Sequence, residues 1–272
     1  MSARSALKGW VTLPADHFPI VLHLSCPQHF HRLLTTVFND GVVFQMMTSP
    51  PEVTKNQILL QMPSDLHLKY RKLIDRKKPL PYAYLLPKAT KGYCGARPIV
   101  AYSTSRNSRL SRRLAVAVTQ ILSVTFPRQN VLPTVQHILE LLWKTITEIP
   151  MNLELLIKQQ DLAGFYNAVP HPRILEALHY TISQYMQQQG LEWTSDISVS
   201  IQNTDQLHSL FRGRWRRQAH RHVQFALQDL IPLTRWLLST SYFSIGQQTF
   251  RQIQGASMGS QLAPALCSAV AI

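Results

Sequence analysis

Two stretches of the chain carry an apolar residue at every fourth position. The first set is Leu110, Leu114, Val118 and Leu122, and the second is Ile174, Leu178 and Ile182. Side chains at this spacing share one face of an α-helix, so the sequence predicts helices from Ser105 to about Phe126 and from Pro172 to Gln189. Gly190 directly follows the second helix, at the position where glycine commonly ends a helix. A third helix is predicted over residues 134–149.

Strand patterns lie between these helices. Aromatic and branched residues flank a glycine turn at 92–95, which predicts a hairpin with strands over 82–88 and 96–102. Apolar and polar residues alternate over 153–158, which predicts a strand that ends near Asp161. A last unit begins with an aromatic strand at Tyr242, continues through a loop and enters an apolar helix.

The composition is that of a folded and strongly basic protein. Of the 272 residues, 45% are hydrophobic, which is enough for one large core or two smaller ones. Lysine and arginine outnumber aspartate and glutamate by 28 to 14, so the net charge is +14. Such an excess favours a polyanionic partner, because binding releases condensed counterions, and nucleic acid is the partner that the charge predicts. The alternative is that the charge serves only solubility.

The cysteine spacing and the hydropathy indicate in which compartment the protein is found. Cys26, Cys94 and Cys267 are far apart, which gives neither a metal-binding spacing nor a disulfide framework. A reducing, intracellular compartment is therefore expected. No apolar run reaches the length of about 18 residues that a membrane span needs, and the N-terminus lacks a secretion signal pattern. The sequence predicts no membrane contact.

The basic residues concentrate in three clusters, at 69–78, 106–113 and 212–222. In the second cluster, arginines occupy the first turns of a predicted helix, where they oppose the helix macrodipole and an external anion would relieve them. These nucleic-acid-binding candidates are Arg106, Arg109, Arg112 and Arg113. The third cluster places a tryptophan among arginines, a combination suited to stacking on bases and contacting phosphates. Its candidates are Arg214, Trp215, Arg216 and Arg217. A merely solvated basic segment is the alternative for both clusters.

The loop that precedes the last helix contains two glycines. Gly255 and Gly259 permit backbone angles and close approaches that a Cβ would prevent, as a backbone pressed against a bound nucleotide requires. The alternative is an ordinary hairpin that leads into a buried helix. Motifs upstream of the loop favour the first interpretation.

Three motifs resemble those of reverse transcriptases and follow the same order over residues 82–272. Asp161-Leu-Ala-Gly-Phe-Tyr-Asn-Ala-Val-Pro-His171 resembles the first catalytic motif, in which an aromatic residue follows the aspartate. Arg97-Pro-Ile-Val-Ala-Tyr102, preceded by Lys88, resembles the fingers motifs. Gln254-Gly-Ala-Ser-Met-Gly-Ser260 resembles the Gln-Gly loop of the family. Within the family, the chain is most similar to Penelope-like retroelements and more distantly to telomerase and group II intron enzymes.

The resemblance implies an α/β (α+β) fold, the fingers and partial palm of a right-hand polymerase, with an antiparallel palm sheet backed by helices. It implies an RNA-directed DNA polymerase that adds deoxynucleoside triphosphates to a DNA primer on an RNA template, using two Mg²⁺ or Mn²⁺ ions. Residues 76–150 would be fingers-like and 151–272 the partial palm, with a basic insertion near 205–225. Residues 1–75 have no assigned role. A nuclear rather than cytoplasmic location is expected.

The resemblance also implies roles for individual residues. Asp161 would be catalytic and bind both metal ions, assisted by the backbone carbonyl of Leu162. The lysine and arginine of the fingers motifs would neutralise the triphosphate, the tyrosine would exclude a ribose 2′-hydroxyl, and the Gln-Gly pair would line the nucleotide. These nucleotide-binding candidates are Lys88, Arg97, Tyr166, Gln254 and Gly255. A surface ion pair is the alternative for Arg97, and a core aromatic is the alternative for Tyr166.

The sequence departs from the family pattern near its end. Gln261 and Ala263 replace the usual Pro-Leu-Ser after the Gln-Gly loop, and no acidic residue follows Asp229, so the aromatic-x-Asp-Asp hairpin of the family is absent. We therefore expect a truncated sequence, exposed apolar side chains on the helix after Pro264, and background polymerase activity. Two other hypotheses stay open: a polymerase-like domain that binds nucleic acid without catalysis, and a basic RNA-binding protein without polymerase ancestry. In the last case Asp161 would lie far from the Gln-Gly loop.

Overall fold

The computed structural model describes residues 9–16, 18–89, 92–127, 135–150, 164–200 and 222–272. Its helices are α1 Pro27–Phe38, α2 Pro51–Leu60, α3 Ser64–Tyr70, α4 Ser108–Thr125, α5 Val135–Glu148, α6 Phe165–Ala168, α7 His171–Gln189, α8 Leu227–Ser239 and α9 Ala263–Ala271. Its strands are β1 Val11–Ala15, β2 Phe18–Ser25, β3 Phe44–Met47, β4 Tyr82–Pro87, β5 Ala96–Ala101, β6 Asp196–Ser200, β7 His222–Ala226, β8 Tyr242–Ile245 and β9 Gln248–Gln252. Short 3-10 turns cover Arg71–Leu73 and Tyr102–Thr104.

Five of the strands form the main sheet, in the order β3-β9-β8-β4-β5. Neighbouring strands run antiparallel except β4 and β8, which are parallel and meet at the Tyr82–Ser244 pair. The hairpin predicted over 82–88 and 96–102 is the β4–β5 pair, and the aromatic strand predicted at Tyr242 is β8. Helices back the sheet, so the predicted α/β (α+β) class is confirmed.

The fourfold apolar repeats form buried helix faces, as predicted. α4 begins at Ser108, three residues later than expected, because a 3-10 turn and residues 105–107 come first. α7 ends at Gly190, whose φ of 60° is the left-handed conformation that glycine adopts without strain. α5 corresponds to the helix predicted over 134–149.

The main core lies where α4, α7, α8 and α9 meet. Leu110 and Leu114 of α4 and Leu178 and Ile182 of α7 are all inaccessible to solvent, so both repeats face this core. Full burial of a side chain of this size stabilises the fold by about 1.5–3 kcal/mol. The packing of these two helices against each other therefore contributes a large part of the free energy that stabilises the fold.

A smaller core fills the space between α1 and one face of the main sheet. Phe38 of α1 packs among Phe44, Phe243 and Phe250 of three neighbouring strands, with ring centroids 5.0, 5.6 and 6.0 Å away. Tyr242 belongs to the main core instead, because neighbouring residues of a strand point to opposite faces. The sheet therefore lies between α1 and the helical core.

Residues on both sides of the predicted boundary near residue 75 share this architecture. β3 forms an edge of the main sheet by pairing with β9. Asp229 of α8, which is buried, accepts hydrogen bonds from Lys69 Nζ and Tyr70 Oη of α3, both at 2.5 Å. Burial and the bond to Asp229 raise the pKa of Tyr70, so the hydroxyl stays protonated and donating.

The last helix departs from expectation. We expected exposed apolar side chains after Pro264, but Leu266 and Cys267 are buried and α9 packs against α7 and α4. Val270 and Ile272 are half-buried against the main core. The prediction of an uncovered helix is wrong, because neighbouring helices already cover its apolar face.

Within the described ranges, no helix combines the length and the apolar composition needed to cross a bilayer.

Candidate nucleic-acid interface

The Gln-Gly loop, residues 254–260, joins two separate parts of the fold. On one side, the N–H of Val100 in the edge strand β5 donates to the carbonyl of Met258 at 2.8 Å. On the other side, the N–H of Ala256 donates to the carbonyl of Tyr166 in α6 at 2.7 Å, and that of Gly255 donates to Val169 at 2.9 Å. The loop therefore bridges β5 and the segment around α6, the two places where the sequence resembles other polymerase motifs.

The two glycines of the loop are required by these contacts. Gly255 has a φ of +75°, and a Cβ there would lie 2.3 Å from the carbonyl oxygen of Tyr166 and 2.5 Å from Cα of Asn167. Gly259 has a φ of +102°, and its Cβ would lie 2.3 Å from the carbonyl oxygen of Val100. The close approach that the sequence indicated is thus made to the chain's own backbone.

Side chains strengthen the same junction. The side-chain amide of Gln254 donates from Nε2 to the carbonyl of Ala168. His171 Nε2 lies 2.9 Å from the carbonyl oxygen of Gly255, and because a carbonyl only accepts, the imidazole carries its proton on Nε2. Burial lowers the pKa of His171, Arg251 lowers it further, and the bond to Gly255 opposes both. The neutral imidazole is the form that fits this site.

Tyr166 occupies the middle of this junction. Its ring is half-buried against the main core, and burial raises the pKa of its hydroxyl, with the Cys267 thiol as a smaller cause. Burial raises the pKa of Cys267 itself to about 11. Tyr166 therefore packs against the main core and also lies next to the Gln-Gly loop.

The fingers candidates lie on the β4–β5 hairpin. Lys88 follows β4 at the turn, where its N–H donates to the carbonyl of Gly95 at 2.8 Å. Arg97 Nη1 lies 3.1 Å from Oδ1 of the buried Asp16, so Arg97 forms an ion pair within the chain. About one third of the Arg97 side chain stays exposed. Arg97 shares its face of β5 with Ile99, whose side chain faces Gly259.

Arg106 is not on the surface that the sequence predicted for it. It is 5% exposed, and its guanidinium donates to the carbonyl oxygens of Lys55 and, at 2.9 Å, of Arg76. Burial lowers the pKa of Arg106, and the nearby Arg76 lowers it further. The prediction that Arg106 contacts nucleic acid is wrong, because its donors join two chain segments inside the protein.

The other arginines of that cluster line an open basic cleft of about 860 Å³. We define the basic cleft by the cationic residues that line it: Lys69, Lys72, Lys78, Arg109, Arg112 and Arg113. Its uncharged lining includes Ser103, Ser108, Gln224 and Gln261, and His222 contributes an imidazole. No aspartate or glutamate is among its described lining residues. The fold thus joins the basic cluster at 69–78 to the one at 106–113.

The positively charged side chains of this cleft lie close to one another. Burial lowers the pKa of Arg113, and the like charge of Arg112 lowers it further. Arg109, Arg112 and Arg113 also lie in the first two turns of α4, where the positive end of the helix dipole adds to their field. An anion bound in the cleft would relieve both effects, and a helix N-terminus offers backbone N–H groups to it as well.

The basic cleft adjoins the C-terminal end of the Gln-Gly loop. Gln261, which lines the cleft, follows the loop directly in the chain. Ser260 at the end of the loop lies 3.3 Å, Oγ to Oγ, from Ser111 of α4. A polyanion in the cleft would therefore lie beside the loop.

Six of the predicted site residues lie outside the described residues: Asp161, Leu162, Arg214, Trp215, Arg216 and Arg217. Tyr166, five positions after Asp161, contacts the loop through its carbonyl. His222, the last residue of the third basic cluster, lines the basic cleft.

A metal centre was expected from the sequence, and the described residues do not provide one. No three His, Cys, Asp or Glu side chains lie together in a metal-binding arrangement in the described ranges. Asp229 is bound to Lys69 and Tyr70, and Glu176 pairs with Arg173 on the surface of α7. The expected ligands, Asp161 and the backbone carbonyl of Leu162, lie outside the described residues, so the Mg²⁺ or Mn²⁺ site stays a prediction.

Comparison with solved structures identifies the fold. The chain is similar to telomerase from Candida albicans, solved in complex with the TWJ fragment of telomeric RNA, with a TM-score of 0.61 and 11% identity over 98% of this chain and 42% of that chain. For the corresponding telomerase complex from Candida tropicalis the TM-score is 0.55, with 10% identity over 98% of this chain and 39% of that chain. The chain has a polymerase-like fold.

The extent of this similarity is limited. At this level of identity the similarity shows the fold alone, and the chain spans less than half the length of either telomerase chain. No protein-family model matches the sequence, and neither does the sequence of any curated protein.

Sequence reasoning missed several residues of the cleft. Lys69, Lys72 and Lys78 were visible as a basic run, and nothing in the local pattern indicated that they face α4. Gln261 was visible only as a departure from the family pattern. Charge density was the signal for the lysines, whereas the glutamine required the tertiary structure.

We predict that Gly255→Ala lowers the free energy of unfolding by about 2–5 kcal/mol, because left-handed backbone strain and overlap with the Tyr166 carbonyl add together. The matched control is Gly246→Ala, which has a similar φ of +59° and open space around the position of a Cβ. In the control, the free energy of unfolding should fall only by the cost of backbone strain, about 1–2 kcal/mol. Urea unfolding of both variants measures the difference, and equal losses would contradict the close approach assigned to Gly255.

A second prediction concerns pH. Because the folded-state pKa of His171 lies below its ordinary value of 6.5, the unfolded chain takes up a proton first on acidification. The contribution of His171 to stability is therefore complete above pH 6.5 and declines below it. His171→Gln keeps a donor for Gly255 without titrating, so its unfolding free energy should fall less between pH 7.5 and 5.5 than that of the native chain. Parallel pH profiles in urea unfolding would show that His171 does not contribute in this way.

Proposed function

We propose that this chain is the nucleic-acid-binding fingers and palm part of an RNA-directed DNA polymerase. The observation that carries the proposal is the basic cleft, which adjoins the Gln-Gly loop in a polymerase-like fold. Six cationic side chains from two separate segments line one depression, which suits a polymer of phosphates better than a single small anion. The proposed partners are an RNA template and a DNA primer.

The chemistry of the cleft supports binding through phosphates. Arginine forks contact phosphate oxygens with two parallel hydrogen bonds, and lysines act as point charges beside them. Phosphate contacts position a nucleic acid without reading its sequence. The solved telomerase structures contain telomeric RNA, which agrees with an RNA partner for this fold.

The proposal extends to the nucleotide and the metal ions. Lys88 and Arg97 would meet the triphosphate from the β4–β5 hairpin, and Tyr166 would exclude the 2′-hydroxyl of an incoming ribonucleotide. Asp161 would be the first ligand of Mg²⁺ or Mn²⁺, which would supply the activated 3′-oxygen and charge neutralisation of two-metal transfer. Similarity to Penelope-like enzymes and a nuclear location belong to the same proposal. The Penelope-like similarity and the nuclear location both rest on the sequence motifs.

A polymerase-like domain that binds nucleic acid without catalysis is the second candidate. It is favoured by the contacts of Gln254 and Gly255, which both bond to the chain's own backbone. Primer extension with Mg²⁺ or Mn²⁺ separates the two functions. We expect background extension from these 272 residues, because no acidic residue follows the Gln-Gly loop to share two metal ions with Asp161. Extension that is lost on Asp161→Ala would contradict this expectation and establish polymerase activity.

The binding proposal is tested by its salt dependence. Replacing Arg109, Arg112 and Arg113 together by glutamine should weaken binding to an RNA–DNA hybrid and reduce the slope of log affinity against log salt. The expected reduction is about 0.7–0.9 for each phosphate that the variant no longer neutralises. Fluorescence anisotropy at several salt concentrations measures both quantities.

The matched control also removes three positive charges. Arg32, Lys144 and Arg173 are exposed and do not line the cleft, so replacing them by glutamine changes net charge by the same amount. This control should leave the slope close to that of the native chain. Equal slopes for the two triple variants would show that the cleft is not where phosphates bind.

A further inference from the structure

Two tyrosines form an exposed aromatic pair at the start of β4. Ala83 and Leu85 of this strand are buried in the smaller core. Side chains alternate along a strand, so Tyr82 and Tyr84 point to the opposite face of the sheet. Their ring centroids are 6.1 Å apart, and Tyr82 is 54% exposed. Because β4 lies between β5 and β8, this ring is exposed on the body of the sheet and not along an edge strand.

One end of this aromatic pair adjoins the Gln-Gly loop. Tyr84 lies directly across the β4–β5 hairpin from Ile99. The side chain of Ile99 in turn faces Gly259, where a Cβ would come within 3.4 Å of its Cγ2 atom. Residues directly opposite each other share one face of a hairpin, so Gly259, Ile99 and Tyr84 follow one another along that face.

The other end of the pair adjoins the basic cleft. Tyr82 lies across the hairpin from Ala101, and Ser103 of the cleft wall comes two residues later. The Cα atoms of Tyr82 and Ser103 are therefore at most roughly 13 Å apart. Lys78, another residue of the cleft wall, precedes Tyr82 by four positions. A strand that leaves the cleft can reach the Tyr82 ring within a few nucleotides, at about 3.4 Å for each stacked nucleotide.

The residues around the pair indicate which kind of ligand it fits. Lys78 lies at the Tyr82 end, and Arg97 shares the face at the other end of β4, where it is paired with Asp16 and still partly exposed. Aromatic rings between cations suit single-stranded nucleic acid, because bases stack on the rings while phosphates meet the cations. Exposed tyrosines also occur at protein interfaces, but cations at both ends favour a polyanion. The bases of a duplex are already stacked on one another, so the pair fits unpaired nucleotides.

We propose that Tyr82 and Tyr84 form a stacking platform for unpaired bases of the template strand beside the basic cleft. The proposal rests on the proposed function, in which the cleft holds an RNA–DNA hybrid through its phosphates, and it adds a second site that contacts bases. Stacking on an aromatic ring tolerates any base, as the copying of any template requires. Tyr82 contributes the exposed ring, and Tyr84 packs beside it on the side of the Gln-Gly loop.

The experiment uses one RNA–DNA hybrid whose RNA strand extends beyond the DNA at its 5′ end. The extension either carries bases or is abasic, so both forms have the same phosphates. The native chain should bind the form with bases about five- to tenfold more tightly, the lower range for one base stacked on an aromatic ring. The slope of log affinity against log salt should be the same for both forms, because stacking neutralises no phosphate.

Two substitutions separate the ring of Tyr82 from its hydroxyl. Tyr82→Leu removes both, so the preference for the form with bases should be lost while binding of the abasic form stays unchanged. Tyr82→Phe removes the hydroxyl alone and should keep the preference. Tyr180→Leu is the matched control, because Tyr180 is similarly exposed, contacts the ring of Phe126 and does not line the cleft. It should also keep the preference.

A fluorescent base reports the stacking directly. 2-Aminopurine placed in the extension loses emission when its base stacks on an aromatic ring. The native chain and Tyr82→Phe should quench this emission, and Tyr82→Leu should quench it less. Unchanged emission when the native chain saturates the hybrid would overturn the proposal, and this result decides the matter even if a variant fails to fold.

The two proposals fail in different ways. Absence of binding to both forms, or binding that does not depend on salt, would contradict the proposed function and the platform with it. Salt-dependent binding with equal affinity for the two forms would reject the platform alone, and the exposed tyrosines would then fit a protein partner. A preference for bases that survives Tyr82→Leu would also overturn the assignment, because the stacking would occur elsewhere.

Discussion

The close backbone contact between the Gln-Gly loop and its two neighbours is the constraint on which the arrangement of this protein depends. Gly255 meets the carbonyl of Tyr166 and Gly259 meets the carbonyl of Val100 at distances that leave no room for a Cβ. The loop begins at the end of β9 and leads into α9, so these contacts tie the main sheet to the helical core. Val100 in turn belongs to the edge strand β5, whose open side the loop covers at Met258.

Folding brings the cations of the basic cleft together. Like charges held close together oppose folding, and the buried faces of α4 and α7 offset that cost. Because the cost is met during folding, the arginines and lysines are already in place when a ligand arrives, which reduces the entropy lost on binding. The cleft and the core are therefore two sides of one helix, with α4 contributing apolar residues inward and arginines outward.

The similarity to telomerase identifies an architecture, and function depends on the sites that this architecture carries. In this chain the residues of the Gln-Gly motif hold the loop in place, and the adjoining Gln261 and the six cations line the basic cleft. Holding the loop and lining the cleft are thus divided between neighbouring residues. This division explains how a short motif can be needed for structure and also determine where the cleft lies.

The sequence alone determined the features that depend on near neighbours. The repeats of α4 and α7, the β4–β5 hairpin and the helix end at Gly190 follow from periodicity and glycine chemistry within a few residues. It also indicated that arginines begin α4. Only the tertiary structure decided that Arg106 turns inward to backbone carbonyls while Arg109 faces the cleft, since the Lys55 carbonyl that Arg106 reaches is 51 positions away. The same holds for His171 and Gly255, which are 84 positions apart. Local pattern reports which residues can be buried or charged, whereas the partner of each is set by how distant segments pack.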